Sequence, residues 1–268
     1  MGNVKIGIMG VAGIMGRMIA KQVHQTANAA LAGGTVLPGS AEEGIEIAKL
    51  CGFDAESPTT VSDAATVFAA ADVVIDFTSP AATVAHAGLA AESGTAFVVG
   101  TTGLTAEDEA RLAEAAKSIP LVYAPNMSLG VNLLFDLVKK VSAALDESFD
   151  IEIVEMHHRR KVDAPSGTAL GLGKAAAEGR GVTLEEKGVL SREGVTGPRE
   201  DGQIGFATLR GGDVVGDHTV IFAGPNERIE LTHKAASREI FAAGAVKASL
   251  WAAGRKPGLY AMPDVLGL

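Results

Sequence analysis

The stretch Val4-Lys5-Ile6-Gly7-Ile8-Met9-Gly10-Val11-Ala12-Gly13-Ile14-Met15-Gly16-Arg17 decides the fold class. VKIGIM is a short apolar run with β-branched residues, ended by glycine, and reads as a buried parallel strand. Beyond the glycines, Met15, Met18, Ile19 and Val23 recur at helical spacing. Strand, glycine turn and helix in this order predict the phosphate-binding turn of a dinucleotide fold. Gly10 permits the tight turn, Gly13 lets the backbone meet a pyrophosphate, and Gly16 lets the helix sit close to the strand. The spacing is G-x-x-G-x-x-G rather than the commoner G-x-G-x-x-G. The candidate cofactor contacts here are Gly10, Val11, Ala12, Gly13, Ile14 and Met15.

Outward from this turn, strand and helix patterns keep alternating, as in a parallel sheet wrapped by helices. The second strand lies within Ala29 to Leu37. At its end such folds place an acid for the adenine ribose or a base for a 2′-phosphate. Here stand Thr35, Val36, Leu37 and Pro38, and the next acids, Glu42 and Glu43, come late. Asp72 to Phe77, Ala96 to Val99 and Leu121 to Ala124 read as strands, with helices over Thr83 to Ser93 and Ala106 to Lys117 between them. Ligands of open parallel sheets lie beyond the carboxyl ends of the strands. The segments that follow these strands therefore outline a nicotinamide pocket of Phe77, Gly100-Thr101-Thr102 and Ala124-Pro125-Asn126-Met127. His86 reads as a surface or packing histidine.

Asn132 to Leu145 is an apolar-faced helix expected to bridge two domains. Phe149 to Met156 then alternates at period two, as a strand does, and delivers His157. From His157 through His158, Arg159 and Arg160 to Lys161 every side chain can carry positive charge, in a chain whose formal net charge is -9. Pro165-Ser166-Gly167-Thr168 follows as a helix start. Ser166 is a good N-cap, and Gly167 allows close approach to the backbone. Cations and a positive helix end at one spot make a site for a small carboxylate or phosphate anion. A basic run by itself reads equally well as a solvated face; the glycine-containing helix start beside it favours the anion site. Histidine titrates near neutral pH, and a lysine among cations is pushed toward releasing its proton, so His157 and Lys161 are candidate acid and base.

Gly188 to Gly202 reads as a loop. Ile204 to Arg210, His218 to Ala223 and Arg228 to Lys234 read as an antiparallel meander whose uncovered face points to another subunit. His218 and His233 on it read as cross-strand residues. Spacing does not decide whether Arg210, Arg228 or Arg238 reaches a carboxylate.

The 268 residues allow two modest domains, and 47% hydrophobic with 21% charged residues is an ordinary globular composition. The single Cys51 excludes an internal disulfide and a cysteine zinc cluster and favours a reducing cytosol; it reads as a small buried apolar residue. Adjacent His157 and His158 would face opposite sides of a strand, which speaks against a metal site. Acidity, with a pI of 5.2, argues against nucleic acid. No signal-peptide pattern and no apolar run of the ~18 residues needed for a membrane span is found. A cytoplasmic chain without membrane, metal or nucleic-acid partners is expected.

From Glu155 to Ala169 the sequence fills the pattern E-x-H-H-x-x-K-x-D-x-P-S-G-T-A. This resembles the substrate loop of the bacterial dihydrodipicolinate reductases, also called 4-hydroxy-tetrahydrodipicolinate reductases, of the diaminopimelate route to lysine. The segments Asp76-Phe77-Thr78, Gly100-Thr101-Thr102-Gly103 and Ala124 to Ser128, and the run from Gly244 to Leu268, resemble the same family. The resemblance implies hydride transfer from NADH or NADPH to the C4 region of an unsaturated cyclic dicarboxylate. Lys161 and His157 would donate or relay the completing proton, and His158, Gly167 and Thr168 would hold a carboxylate. It also implies a homotetramer. The chain departs from the family where an acid-arginine pair commonly follows the second strand and where Ile14 replaces a common arginine; this weakens the discrimination between NADH and NADPH and leaves NADH slightly favoured.

The expected fold is α/β: a Rossmann-like dinucleotide-binding domain, 1–127 plus 239–268, and an α+β substrate and oligomerisation domain, 128–238. The last helix, Ile240 to Ala253, is expected to cover the first domain. Two rivals stand beside this reading, another NAD(P)-dependent dehydrogenase of amino-acid metabolism and a nucleotide-sensing regulator of the same fold. A proton donor beside an anion site speaks against the regulator.

Overall fold

The computed structural model describes residues 2–268, which divide into one unit formed by the chain up to Leu129 with Glu239–Gly267, and another formed by Gly130–Arg238. The first unit begins β1 (Val4–Met9), α1 (Ile14–Gln25), β2 (Ala29–Gly34), α2 (Ile47–Cys51), α3 (Ala64–Ala70) and β3 (Val73–Asp76). It continues through α4 (Pro80–Ser93), β4 (Ala96–Val99), α5 (Ala106–Ala115) and β5 (Pro120–Tyr123). Then come α6 (Leu129–Ala144), β6 (Asp150–His157), α7 (Gly167–Arg180), α8 (Leu184–Lys187), β7 (Gly188–Val189), β8 (Ile204–Arg210), β9 (Gly216–Ala223) and β10 (Arg228–Ala235). The first unit is completed by α9 (Glu239–Ala252), β11 (Gly258–Tyr260) and α10 (Met262–Leu266). No helix among the described residues is long and apolar enough to cross a membrane.

In the first unit six parallel strands lie in the order β11-β5-β4-β3-β1-β2. Strands buried on both faces need uninterrupted apolar sequence, and every residue of β3 and β4 is buried. On one face Ile8, Ile75 and Val98 pack with Ile19 and Val23 of α1 and Ala245 of α9. On the other, Val74, Phe97 and Leu121 meet Phe68, Ala90 and Leu112. The strand order reverses at β1, so the carboxyl ends of β1 and β3 frame a crevice. β11, within the run from Gly244 to Leu268 where no strand was expected, is a sixth strand paired with β5.

In the second unit the order is β10-β9-β6-β8-β7. Of the antiparallel meander expected from Ile204 onward, the β9–β10 pairing forms and the β8–β9 pairing does not. β6 inserts between β8 and β9, pairing parallel with the first and antiparallel with the second. The glycines after β8 make no hairpin; instead Gly211 N–H donates to the His157 carbonyl and His158 N–H donates to the Val214 carbonyl, so the connection crosses the end of β6. Leu134 and Val138 of α6 and Leu172 and Ala176 of α7 bury one face with Ile151, Ile153, Phe206 and Val220. β10, at the edge, buries none of its residues.

Gly244 of α9 has no room for a side chain, because a Cβ there would lie 1.7 Å from the Met127 carbonyl oxygen. Gly244→Ala should lower the stability of this unit by about 1–3 kcal/mol. Gly88→Ala, at an exposed helical position with nothing within 4 Å, should raise it by up to about 1 kcal/mol. Thermal unfolding of the two variants checks this; equal effects would contradict the packing described.

Candidate active site

At the amino-terminal turn, Gly10 has φ +68, a conformation that glycine adopts without cost. A Cβ on Gly16 would lie 2.4 Å from the Gly10 carbonyl oxygen, so only glycine lets α1 come this close to the turn. Thr35, directly after β2, braces the turn: its hydroxyl accepts from Gly10 N–H at 2.9 Å and its carbonyl from Val11 N–H at 2.8 Å. Gly13 is the N-cap of α1 with no side chain to satisfy the helix donors, and no acidic residue stands in the first turn. The first N–H groups of a helix have no intrahelical acceptor. The residues present therefore fit a pyrophosphate.

The place expected to discriminate the adenosine end is apolar. Ile14 is 66% exposed and Leu37 79% exposed. Arg17, the cation of this turn, donates to the carbonyls of Ala12 at 2.8 Å and of Leu50. Glu43 accepts from Gly39 N–H, and hydrogen bonding, chiefly from Ser62, holds its carboxyl below the ordinary range.

Of the other segments assigned to the cofactor, Phe77 follows β3 and its ring abuts Gly100, where a Cβ would come 2.2 Å from the ring. Thr101 is buried and Thr102 exposed. Ala124 N–H donates to Val99, and Asn126 accepts from Ser128 N–H at 2.9 Å through its side chain. A Cβ on Gly10 would lie 3.1 Å from the Thr78 methyl, so the glycine turn and the segment after β3 are neighbours.

In the second unit, β6 buries Ile151, Ile153, Glu155 and His157 on one face. Glu155 is 1% exposed, and its carboxylate is met on every side. Arg210 donates through Nη1 at 2.8 Å and Nη2 at 2.9 Å, Ser166 N–H donates at 3.0 Å, and His157 Nδ1 lies 2.5 Å away. Burial alone would raise this carboxyl, but the hydrogen bonds from Arg210, His157 and Ser166 outweigh it and leave it lowered. Glu155 thus ties His157 to Ser166, whose hydroxyl accepts from Ala169 N–H and caps α7. Gly167 is exposed, with no atom within 4 Å of where a Cβ would stand, and opens the helix start to approach. Thr168 follows it in the first turn.

The basic run separates by role. Arg159 and Arg160 are exposed, and Arg160 pairs with Asp213 at 3.1 Å, which is the solvated face weighed from the sequence. Lys161 Nζ contacts both oxygens of Asp163 at 2.7 and 2.8 Å, so its neighbour is an anion rather than the cations beside it in sequence. His158 presents a buried Nδ1 with no hydrogen-bond partner. Arg210 is committed to Glu155 and Arg228 pairs with Glu230.

Three contributors were not legible in spacing. Glu155 and Arg210 are 55 residues apart, although an acid two positions before His157 on a period-two strand shares its face. His218 is buried, 3.1 Å from the Ser166 hydroxyl through Nε2 and edge-on to His157. Burial, then the neighbouring His157, pushes it down to about 4, so it is neutral near pH 7.

For His218, whose folded value lies below the ordinary 6.5, the unfolded chain takes the proton first, so stability falls with pH from about 6.5 to about 4. For Glu155, with a lowered value, the stabilisation is present above the ordinary carboxylate range and is lost as pH falls through the folded value. His218→Gln should flatten the decline of the melting midpoint between about pH 6.5 and 4, and a parallel decline would contradict this. Glu155→Gln should cost about 3 kcal/mol at neutral pH by stranding Arg210.

Residues 4–127 match the family described as dihydrodipicolinate reductase, N-terminus, and residues 130–266 match dihydrodipicolinate reductase, C-terminus. A 4-hydroxy-tetrahydrodipicolinate reductase of Afipia carboxidovorans is 55% identical over 268 residues, spanning 100% of this chain and 98% of the relative. One of the same name from Chelativorans sp. is 54% identical over 268 residues, spanning 100% and 97%. A dipicolinate-bound dihydrodipicolinate reductase from Paenisporosarcina sp. has the same fold, with a TM-score of 0.78 at 24% identity over 98% of each chain. With both of its parts matched and relatives aligned end to end, this chain belongs to the dihydrodipicolinate reductase family.

Proposed function

We propose that the chain is an NAD(P)H-dependent 4-hydroxy-tetrahydrodipicolinate reductase that forms tetrahydrodipicolinate in the diaminopimelate route to lysine. The observation that carries this reading is that one buried carboxylate, that of Glu155, holds both a histidine and the open start of α7. Bound NADH or NADPH supplies the hydride. Gly10, Val11, Ala12, Gly13, Ile14 and Met15 hold its pyrophosphate end, and Phe77, Gly100, Thr101, Thr102, Ala124, Pro125, Asn126 and Met127 hold its nicotinamide end.

The acceptor is a cyclic dicarboxylate. His158, Gly167 and Thr168 hold one carboxylate, aided by the positive end of α7; the unsatisfied buried Nδ1 of His158 supports this role. With Nδ1 fixed against Glu155, His157 has Nε2 left to exchange a proton, the arrangement by which a carboxylate sets a histidine tautomer. Lys161, held by Asp163, is the second proton source. A nucleotide-sensing regulator has no use for either group. The cytoplasm as compartment and a homotetramer as assembly belong to the same proposal, supported by the family and by the unburied β10.

NADH is proposed to serve at least as well as NADPH, because Ile14 and Leu37 offer no charge to a 2′-phosphate and Arg17 is engaged by backbone carbonyls. Steady-state kinetics should give kcat/KM for NADH equal to or above that for NADPH; a clear NADPH preference would refute this. Lys161→Ala and His157→Ala should each lower kcat by about 100-fold or more while NADH affinity, read by fluorescence titration, stays within about twofold. Full turnover in either variant would remove that residue from the role given to it.

A further inference from the structure

Asp76 ends β3 at the edge where the nucleotide is proposed to lie, and it is completely buried, at 0% exposure. A polar group taken out of water needs hydrogen-bonding partners around it. One oxygen, Oδ1, accepts from Thr78 N–H at 2.8 Å, from the Thr78 hydroxyl at 2.6 Å and from the Thr101 hydroxyl at 3.3 Å. The other, Oδ2, lies 2.7 Å from Nδ1 of His86 on α4. A carboxylate only accepts, so Nδ1 carries the proton.

The same cluster reaches further. Thr83, fully buried on α4, donates its hydroxyl to that of Thr101 at 2.8 Å, and Thr78 N–H also lies 3.1 Å from the Thr101 hydroxyl. Gly100 N–H donates to the Asp76 carbonyl at 2.9 Å, and Gly100 is the residue on which the Phe77 ring rests. One carboxylate therefore fixes the segment after β3 to the loop after β4, and one histidine fixes the carboxylate. His86 itself is mostly covered, 15% exposed in its side chain, and its ring lies tilted against Phe68. It is thus set behind the loops rather than on them.

We propose that Asp76 and His86 are positioning residues for the nicotinamide half of the cofactor, acting through Thr78, Thr101 and Phe77. This rests on the nucleotide reading above. The side-chain hydrogen bonds of the pair run to Thr78, to Thr101 and to each other, so its loss is felt chiefly at the nicotinamide end. A ligand that keeps the adenosine and both phosphates but lacks nicotinamide separates the two ends.

The experiment compares Kd for NADH and for ADP-ribose in the full chain and its variants. His86→Ala should weaken NADH by about tenfold, the loss of one hydrogen bond to a buried carboxyl group, and leave ADP-ribose within about twofold. His86→Asn, which returns an N–H donor near the position of Nδ1, should bring NADH back to within about threefold of the unaltered chain. KM for NADH should rise more than kcat falls in His86→Ala. Equal weakening of both ligands, no weakening of either, or an asparagine variant as defective as alanine would overturn the proposal. If His86→Ala does not fold, Thr83→Val removes the hydroxyl that donates to Thr101 and carries the same expectation at about threefold. An unaltered chain that bound neither ligand would overturn the nucleotide reading itself, a result distinct from the failure of the pair.

Discussion

A carboxyl group withdrawn from water must be surrounded by hydrogen-bonding partners, and each unit of this chain is arranged around one such group. In the first it is Asp76, closed by threonine hydroxyls, an amide and His86. In the second it is Glu155, closed by Arg210, His157 and the Ser166 amide. Neither carboxylate is placed to meet a ligand. Each draws loops or a helix start into a fixed arrangement, and the groups so arranged are those assigned to cofactor and substrate.

The two anchors also explain why candidate residues with similar chemistry divide. Within the basic run, His157 is tied inward to Glu155 and Lys161 is braced by Asp163, whereas Arg159 and Arg160 remain exposed. Of the arginines considered as carboxylate ligands, Arg210 is spent on Glu155. A fork-shaped guanidinium gripping a buried carboxylate in two places is a structural element. His218, neutral at the back of the cluster, completes the Ser166 cap without adding charge.

Much of the fold was legible because its signals are local. β1, the glycine turn and α1 are contiguous, and β4 and β8 fall where their apolar runs begin and end. Family membership was legible for the same reason, since the fifteen-position pattern from Glu155 to Ala169 is one unbroken string. What escaped was pairing across distance. The position of β6 between β8 and β9 depends on a register between strands about fifty residues apart, which alternation on each strand alone does not encode. The roles of Glu155 and His86 escaped likewise, because an acid inside an apolar alternation and a histidine on a helix acquire meaning only beside Arg210 and Asp76. The empty place of the ribose acid was visible as an absence. The bracing of the glycine turn by Thr35 was not.

The central claim is that this chain passes hydride from a nicotinamide dinucleotide to a cyclic dicarboxylate. The most direct measurement follows NADH absorbance when the purified chain meets 4-hydroxy-tetrahydrodipicolinate made enzymatically in the same cuvette. Substrate-dependent oxidation of NADH, one equivalent for each equivalent of acceptor consumed, is the predicted result. Persistent NADH absorbance, in a preparation shown by titration to bind the nucleotide, would contradict the account.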